Sequence, residues 1–237
     1  MKTSIIIPTM GRPDPRQVPN GVRQCVETTK HLDAEVIAVV EVNEPTARSL
    51  LGTGAKVLFR PEHKGAAAGW NEGAWHAAGD LFVLGADDLR WVDGWLDALL
   101  PWVEKLPERC GVVGLNDCHR TDGWAFATHY AVTRSYCVQY LGGVFVVPVY
   151  RHFNCDMEIG FRARREGRYL YAHDVRFDHR HYLYDHDLYD SVYDSVRGYY
   201  EEDTKLLYAR KAKGFPNDWP PILGVPLSEL EARDELR

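Results

Sequence analysis

The stretch His63-Lys64-Gly65-Ala66-Ala67-Ala68-Gly69-Trp70-Asn71-Glu72-Gly73-Ala74-Trp75-His76-Ala77-Ala78-Gly79-Asp80-Leu81-Phe82-Val83-Leu84-Gly85-Ala86-Asp87-Asp88 decides how the chain folds. Gly65 to Ala78 is alanine-rich, places Trp70, Ala74 and Ala77 at helical spacing, and stops at Gly79, so a helix is expected there. Leu81 to Leu84 is a short apolar run of the kind that forms a buried strand, and it empties into two adjacent carboxylates. A helix feeding a central strand with acids at the strand's carboxyl end is the basic unit of an α/β sheet.

The same alternation extends outward. Ser4 to Ile7 reads as a strand cut off by Pro8, followed by a loop from Thr9 to Pro15. A helix is expected from Val18 to His31, a strand from Glu35 to Val42 ended by Asn43-Glu44-Pro45, and a short strand from Val57 to Phe59. Such alternation implies right-handed crossovers and a mostly parallel sheet, with a ligand site outside the carboxyl ends of its strands. Downstream, Asp93 to Leu106 and Phe153 to Glu166 read as helices, Gly111 to Leu115, Tyr130 to Thr133 and Val144 to Val149 as strands, and Tyr169 to Tyr184 as an extended segment. Tyr189, Tyr193, Val196 and Tyr200 recur at spacings of four, three and four. One amphipathic helix from Leu188 to Lys213 is therefore expected, packed by its tyrosines. Gly214 to Pro226 holds four prolines and reads as a wrapping arm.

The length of 237 residues suits one α/β domain, and 45% hydrophobic with 26% charged residues is an ordinary folded composition. The expected organisation is a domain over residues 1–213 and an arm over 214–237, the domain dividing into halves at 1–90 and 91–186 and a C-terminal helix at 187–213. A net charge of −6 gives no global attraction to nucleic acid or anionic membrane. Cys25, Cys110, Cys118, Cys137 and Cys155 are odd in number and widely spaced, the pattern of free thiols rather than a disulfide framework or zinc site. No leader-like N-terminus and no 18-residue apolar run are present, so a cytoplasmic location is the expectation.

Taken together and in order, the glycine-rich turn at 63–65, the helix with Asn71-Glu72-Gly73, the turn Ala78-Gly79-Asp80 and the strand leading to Gly85-Ala86-Asp87-Asp88 resemble glycosyltransferase family 2. The opening Ser4-Ile5-Ile6-Ile7-Pro8-Thr9, with Arg12-Pro13 after it, resembles that family's first strand and nucleotide-binding loop. The resemblance implies a single GT-A domain with a Rossmann-like sheet, a nucleotide-sugar donor, and Mn²⁺ or Mg²⁺ held by Asp87 and Asp88. Hard oxygen ligands suit such an ion. It also implies donor contacts at Pro8, Thr9, Gly11, Arg12, Gly65 and Asn71. Gly85 stands where the family has an acid that seats the ribose. Where the family has a base-contacting Asp at the end of the second strand, this chain offers Glu41 or Asn43.

Asp156-Met157-Glu158 with Arg162 and Gly167 resembles the acceptor half of the family, and the match makes Asp156 the catalytic base. An acceptor hydroxyl needs such a base to lose its proton as it attacks. A charge complementing a helix N-terminus is the competing reading of Asp156. His179 falls where the family completes the metal or phosphate site, and His181, two residues on, points the same way along a strand. The arginines at 162, 164, 165, 168, 176 and 180 are either a solvated face or contacts to pyrophosphate or an anionic acceptor. The expected reaction is an inverting transfer, with a UDP-sugar as the favoured donor and a glycan, small-molecule or modified-DNA hydroxyl as acceptor. A non-catalytic sugar-nucleotide binding module and a nucleotidyltransferase are the alternatives.

Overall fold

A computed structural model of the protein describes residues 1–119, 127–221 and 223. Among these, eight strands form one sheet in the order β3-β2-β1-β4-β7-β6-β8-β5. The strands are β1 (Thr3–Thr9), β2 (Ala34–Glu41), β3 (Lys56–Arg60), β4 (Leu81–Leu84), β5 (Leu89–Trp91), β6 (Val112–Asn116), β7 (Tyr130–Thr133) and β8 (Tyr169–His179). The expected α/β architecture with a mostly parallel sheet is found. β1 pairs in parallel with β2 and β4, β2 with β3, and β6 with β8. The antiparallel pairs β4–β7, β6–β7 and β5–β8 all involve the second half.

The strands of the first half are apolar throughout because helices cover both of their faces. Ile5, Ile7, Val36, Ala38 and Val40 join the core on one side, beneath helices α1 (Gln17–Thr29) and α4 (Trp95–Glu104). Ile6, Ile37 and Val39 face the other side, with α3 (Ala66–Trp75), α5 (Arg134–Tyr140) and α6 (Cys155–Arg165). Helix α3 lies close on β1, since a Cβ at Gly69 would stand 2.8 Å from the Pro8 ring. The α2 turn (Glu44–Ser49) and strand β5 were not legible in the sequence, one being short and proline-led, the other only three residues.

Two expectations are corrected. Val144 to Val149 is not a strand, although Val144 to Val147 are fully buried. Their backbone is satisfied by a side chain instead of a ladder: Asn71 Oδ1 accepts from the Phe145 and Val146 amides, and its Nδ2 donates to the Val146 carbonyl. The expected helix over 188–213 is two helices, α7 (Ser191–Arg197) and α8 (Tyr200–Ala212). Asp190 caps α7, and Tyr193 turns toward the carboxyl end of β4, while α8 buries Asp203, Leu207 and Arg210. The tyrosine spacing fitted a helix, but Tyr200 is exposed and Tyr189 precedes the first turn.

Of the expected arm, Phe215 to Trp219 lies along α5 and α6, where Arg162 donates to the carbonyls of Phe215 and Pro216 and Trp219 Nε1 donates to Leu141. Residues 224–237 fall outside the described residues. All five cysteines are free thiols.

Candidate active site

The carboxyl end of β4 delivers Asp87 and Asp88 beside the loop that leaves β1. Thr9 Oγ1 donates to Asp87 Oδ2 at 2.6 Å, and the Arg12 guanidinium donates to Asp87 Oδ1 through Nε and Nη2 at 3.0 and 2.6 Å. The same guanidinium lies 3.4 Å from Asp88 Oδ2 and 3.1 Å from Asp190 Oδ2 at the start of α7. Tyr193 donates to Asp88 Oδ2 at 3.3 Å, and its ring lies under the Arg12 guanidinium. The antiparallel ladder of β5 with β8 pairs Leu89 with His179, which brings the His179 imidazole to 3.6 Å from Asp88. His179 therefore sits with the strand-end acids and not in the core on a backbone partner.

This cluster is buried, yet it is not saturated. Asp88 Oδ1 and His179 Nδ1 are both buried and have no hydrogen-bond partner. Buried polar atoms are nearly always satisfied, and of the four such orphans among the described residues two fall on Asp88 and His179, whose side chains approach to 3.6 Å. Asp87 differs, because both of its oxygens are taken by Thr9 and Arg12. Among the described residues no three His, Cys, Asp or Glu side chains form a ready-made metal cage. The available donors are thus one carboxylate and one imidazole, a pair that fits a hard divalent ion only if a ligand's own oxygens complete the shell.

Electrostatics separate the two acids. Burial raises Asp87 above the ordinary carboxylate range, although Arg12 opposes the shift. Burial pushes Asp88 the same way, but His179 and Arg12 overcome it and hold Asp88 low. His179 is pulled down by burial and raised by more through Asp88. His129 and His181 lie next to it and are driven down, to about 3 and about 4, by burial and by their charged neighbours. The two flanking imidazoles are thereby kept neutral beside His179.

The other donor-side residues fall into two groups. Thr9 and Arg12 contact the acids, Pro8 and Gly11 belong to the same β1 end and loop, and Gly85 lies two residues before Asp87. Gly85 has a reason beyond the loss of an acid: a Cβ there would stand 2.7 Å from Ile7 Cγ1 and 2.9 Å from the Ile6 carbonyl. No side chain fits, and Trp70 Nε1 instead donates to the Gly85 carbonyl. Glu41, Asn43 and Asn71 are engaged with the chain itself. Asn43 accepts from the Thr46 amide and donates to the Met10 carbonyl, tying α2 to the β1 loop. Glu41 is buried against His63, Arg60 and the amides of Lys64 and Gly65. Asn71 joins the halves as described above.

In the second half, Asp156 lies half-buried in the first turn of α6, and Tyr130 donates to its carbonyl. The loop leading into that turn is held by buried Asp203, which accepts from the amides of Arg151, His152 and Phe153. Glu158 is excluded from proton transfer with a substrate. It is fully buried, and its two oxygens receive Tyr150, Arg162 and Arg210. Arg162 belongs to that knot, and Arg165 and Arg168 bond chain carbonyls, so these three are not pyrophosphate contacts. The sequence reading missed Asp190 and took Tyr193 for a packing residue; the Asp- and Tyr-rich run from 182 to 194 carried no periodic signal that separates them.

The profile of glycosyl transferase family 2 matches residues 4–163. No curated protein sequence matches the chain. Among solved structures, mannosyl-3-phosphoglycerate synthase from Rubrobacter xylanophilus is similar with a TM-score of 0.63 at 13% identity, over 97% of this chain and 80% of that one. A mannosyltransferase from Pyrobaculum calidifontis, solved with GDP-Man and Mn²⁺, is similar with a TM-score of 0.60 at 15% identity, over 76% of this chain. The present chain spans 56% of the length of that protein. Glucosyl-3-phosphoglycerate synthase from Mycobacterium tuberculosis, solved with Mn²⁺, UDP-Glc and glycerol 3-phosphate, gives a TM-score of 0.50 at 13% identity, over 76% of this chain and 72% of that one. At such identities the structural likeness speaks to the fold, which is GT-A, and the profile match over two thirds of the sequence settles the family. The chain belongs to glycosyl transferase family 2.

Proposed function

We propose that the protein is a metal-dependent, inverting glycosyltransferase that moves a sugar from a nucleotide diphosphate to an acceptor hydroxyl. The observation that carries this reading is that Asp88 and His179, 3.6 Å apart at the carboxyl end of β4, are buried and each keep one atom without a partner. Asp88 and His179 are the residues suited to hold Mn²⁺ or Mg²⁺, with Asp87 keeping Arg12 and Thr9 in place. An ion bound there would offset the negative charge that develops on the diphosphate leaving group. Arg12, already among three carboxylates, stands close enough to that position to share the same task.

Asp156 is the group assigned to accept the proton of the acceptor hydroxyl. A single base opposite the leaving group activates the acceptor without a covalent intermediate, which gives inversion. The acceptor is a glycan, a small molecule or a modified DNA base. UDP-sugars are the favoured donors, and GDP-mannose joins them in a first screen because neighbours of this fold are solved with GDP-Man and with UDP-Glc. The occupancy of Asp87 by Arg12 supports one competing reading, a binding module that needs no ion. Incubation with a panel of nucleotide sugars, with and without Mn²⁺, tests both. Mn²⁺-dependent release of nucleoside diphosphate, with inverted anomeric configuration in the product, is expected. Tight donor binding with neither release nor metal dependence would establish the binding module instead.

A further inference from the structure

The segment from His181 to Val196 holds four tyrosines, four aspartates and neither lysine nor arginine. It follows β8 directly and so begins two residues beyond the His179 imidazole that faces Asp88. Ring contacts run outward from that imidazole without a break. Between ring centroids, His181 lies 5.2 Å from His179, Tyr182 and Tyr193 lie 4.6 and 4.9 Å from His181, and Tyr189 lies 5.2 Å from Tyr182. A second branch leads from His179 to Tyr184 at 6.0 Å. Tyr184 in turn stacks on His119, in the loop after β6, at 4.1 Å with the ring planes 8° apart.

The inner rings of this chain of contacts are packed, and the outer ones are open. Tyr193 is buried, whereas Leu183, Tyr184 and Tyr189 are 64%, 41% and 42% exposed. An apolar surface left in solvent beside a buried polar site marks a place where something binds, and stacking holds its rings before any ligand arrives. Little ordering entropy then remains to be lost on binding. Sugar rings, through their apolar C–H faces, and nucleobases, through their π faces, both stack on such a surface, so charge decides between them. Nucleic acid needs cations along the path of its phosphates. Here the exposed groups are carboxylates: Asp185 and Asp187 lie in the same turn as Tyr184, and Asp178, half-exposed, stands 3.7 Å from His119 Nε2. The two guanidiniums that bracket the segment are engaged, Arg180 toward Asp178 at 4.0 Å and Arg197 toward Tyr189. Carboxylates only accept hydrogen bonds, which suits a ligand rich in hydroxyls and opposes an anionic one.

We propose that the Tyr184–His119 stack, with Leu183 and Tyr189, is a platform for a neutral glycan that serves as the acceptor. An apolar face of one sugar ring lies on Tyr184, and the glycan hydroxyls donate to the surrounding carboxylates. The contact of Tyr184 with His179 places that platform at the edge of the Asp88 site. The role of acceptor rests on the glycosyltransferase reading, whereas the binding of neutral glycan does not.

Binding of the full chain to a printed array of neutral, uronate-bearing and sulfated oligosaccharides, and to a short DNA duplex in a filter assay, tests the platform. Wild type is compared with Tyr184→Ala and with Tyr184→Phe, which keeps the ring. Melting temperature verifies the fold, and Tyr189→Ala repeats the comparison at a second exposed ring should the first variant unfold. Wild type is expected to retain neutral oligosaccharides in preference to anionic ones and to DNA. By calorimetry with the neutral oligosaccharide retained best, affinity falls about tenfold in Tyr184→Ala and is kept in Tyr184→Phe. Tighter binding of DNA or of anionic glycans, retention of no neutral oligosaccharide, or equal affinity in wild type and Tyr184→Ala would overturn the proposal. In turnover assays, Tyr184→Ala should raise KM for the glycan while KM for the nucleotide sugar stays unchanged; the reverse pattern would also overturn it. If the transferase reading fails, no nucleotide sugar will release its nucleoside diphosphate with Mn²⁺, yet neutral glycan binding will still depend on Tyr184.

Discussion

Two of the buried arginine–carboxylate knots among the described residues differ in one respect. In the second half, Glu158 receives Tyr150, Arg162 and Arg210, while Arg162 and Arg210 spend their remaining donors on Tyr140, Phe215, Pro216, Asn217 and Asp218. At the end of β4, Arg12 gathers Asp87, Asp88 and Asp190, yet Asp88 Oδ1 and the neighbouring His179 Nδ1 are left without partners. A saturated knot fastens α6, α8 and the arm together. An unsaturated one carries an unmet cost unless a ligand completes it. Burial and charge density alone would not tell the two apart; the accounting of lone pairs does.

The largest effect on stability comes from the saturated knot. Glu158→Gln leaves the buried Arg162 guanidinium without its counter-charge and Arg210 with Asp218 alone, and should cost about 3–5 kcal/mol in urea unfolding, the usual result of breaking a buried pair. A loss below 1 kcal/mol would show that the knot is not structural. Asp156→Asn should have its effect on chemistry instead: kcat falls by roughly 10²-fold with donor affinity little changed, as for loss of a general base. Near wild-type turnover would remove Asp156 from the mechanism, and Glu158 cannot take its place.

Smaller effects are expected around the unsaturated knot. Gly85→Ala pushes a methyl group against Ile7 and the Ile6 carbonyl, and overpacking of this kind costs about 1–3 kcal/mol. A neutral result by thermal unfolding would mean that β1 and β4 can separate. Tyr193→Phe removes one long hydrogen bond to Asp88 and should change stability by about 0.5–1 kcal/mol. A larger loss would make α7 a structural strut of the site rather than a cover over it.

The first half was legible because its signals are local. The strand at Leu81–Leu84 appears at the residues expected, and apart from the unforeseen α2 the helices and strands before it differ from expectation only at their ends. Most of them are apolar runs or helical repeats closed by Gly, Pro or Asn, as β2 is by Asn43, β3 by Pro61 and α3 by Gly79. The second half depends on contacts distant in sequence. Val144 to Val147 look like a strand because they are apolar, and only Asn71, more than seventy residues earlier, makes an irregular path possible for them. The site shows the same division. Asp87, Asp88 and His179 were named from the family pattern, and the structure places all three together. The partners that differentiate them, Asp190 and Tyr193, come from a segment whose tyrosine spacing suggested packing. The arginines near 162 were ambiguous because sequence shows charge but not which carbonyl or carboxylate answers it.

The central claim is that the unsaturated knot is completed by a divalent ion that arrives with the donor, and that Asp88 rather than Asp87 is the carboxylate that ligates it. Titration calorimetry of UDP- and GDP-sugars against wild type, Asp87→Asn and Asp88→Asn, each with and without Mn²⁺, measures this directly. The account predicts that Mn²⁺ strengthens donor binding to wild type, that Asp88→Asn abolishes this enhancement while remaining folded, and that Asp87→Asn retains part of it. Donor affinity that is the same in Asp88→Asn as in wild type with Mn²⁺ present would contradict it.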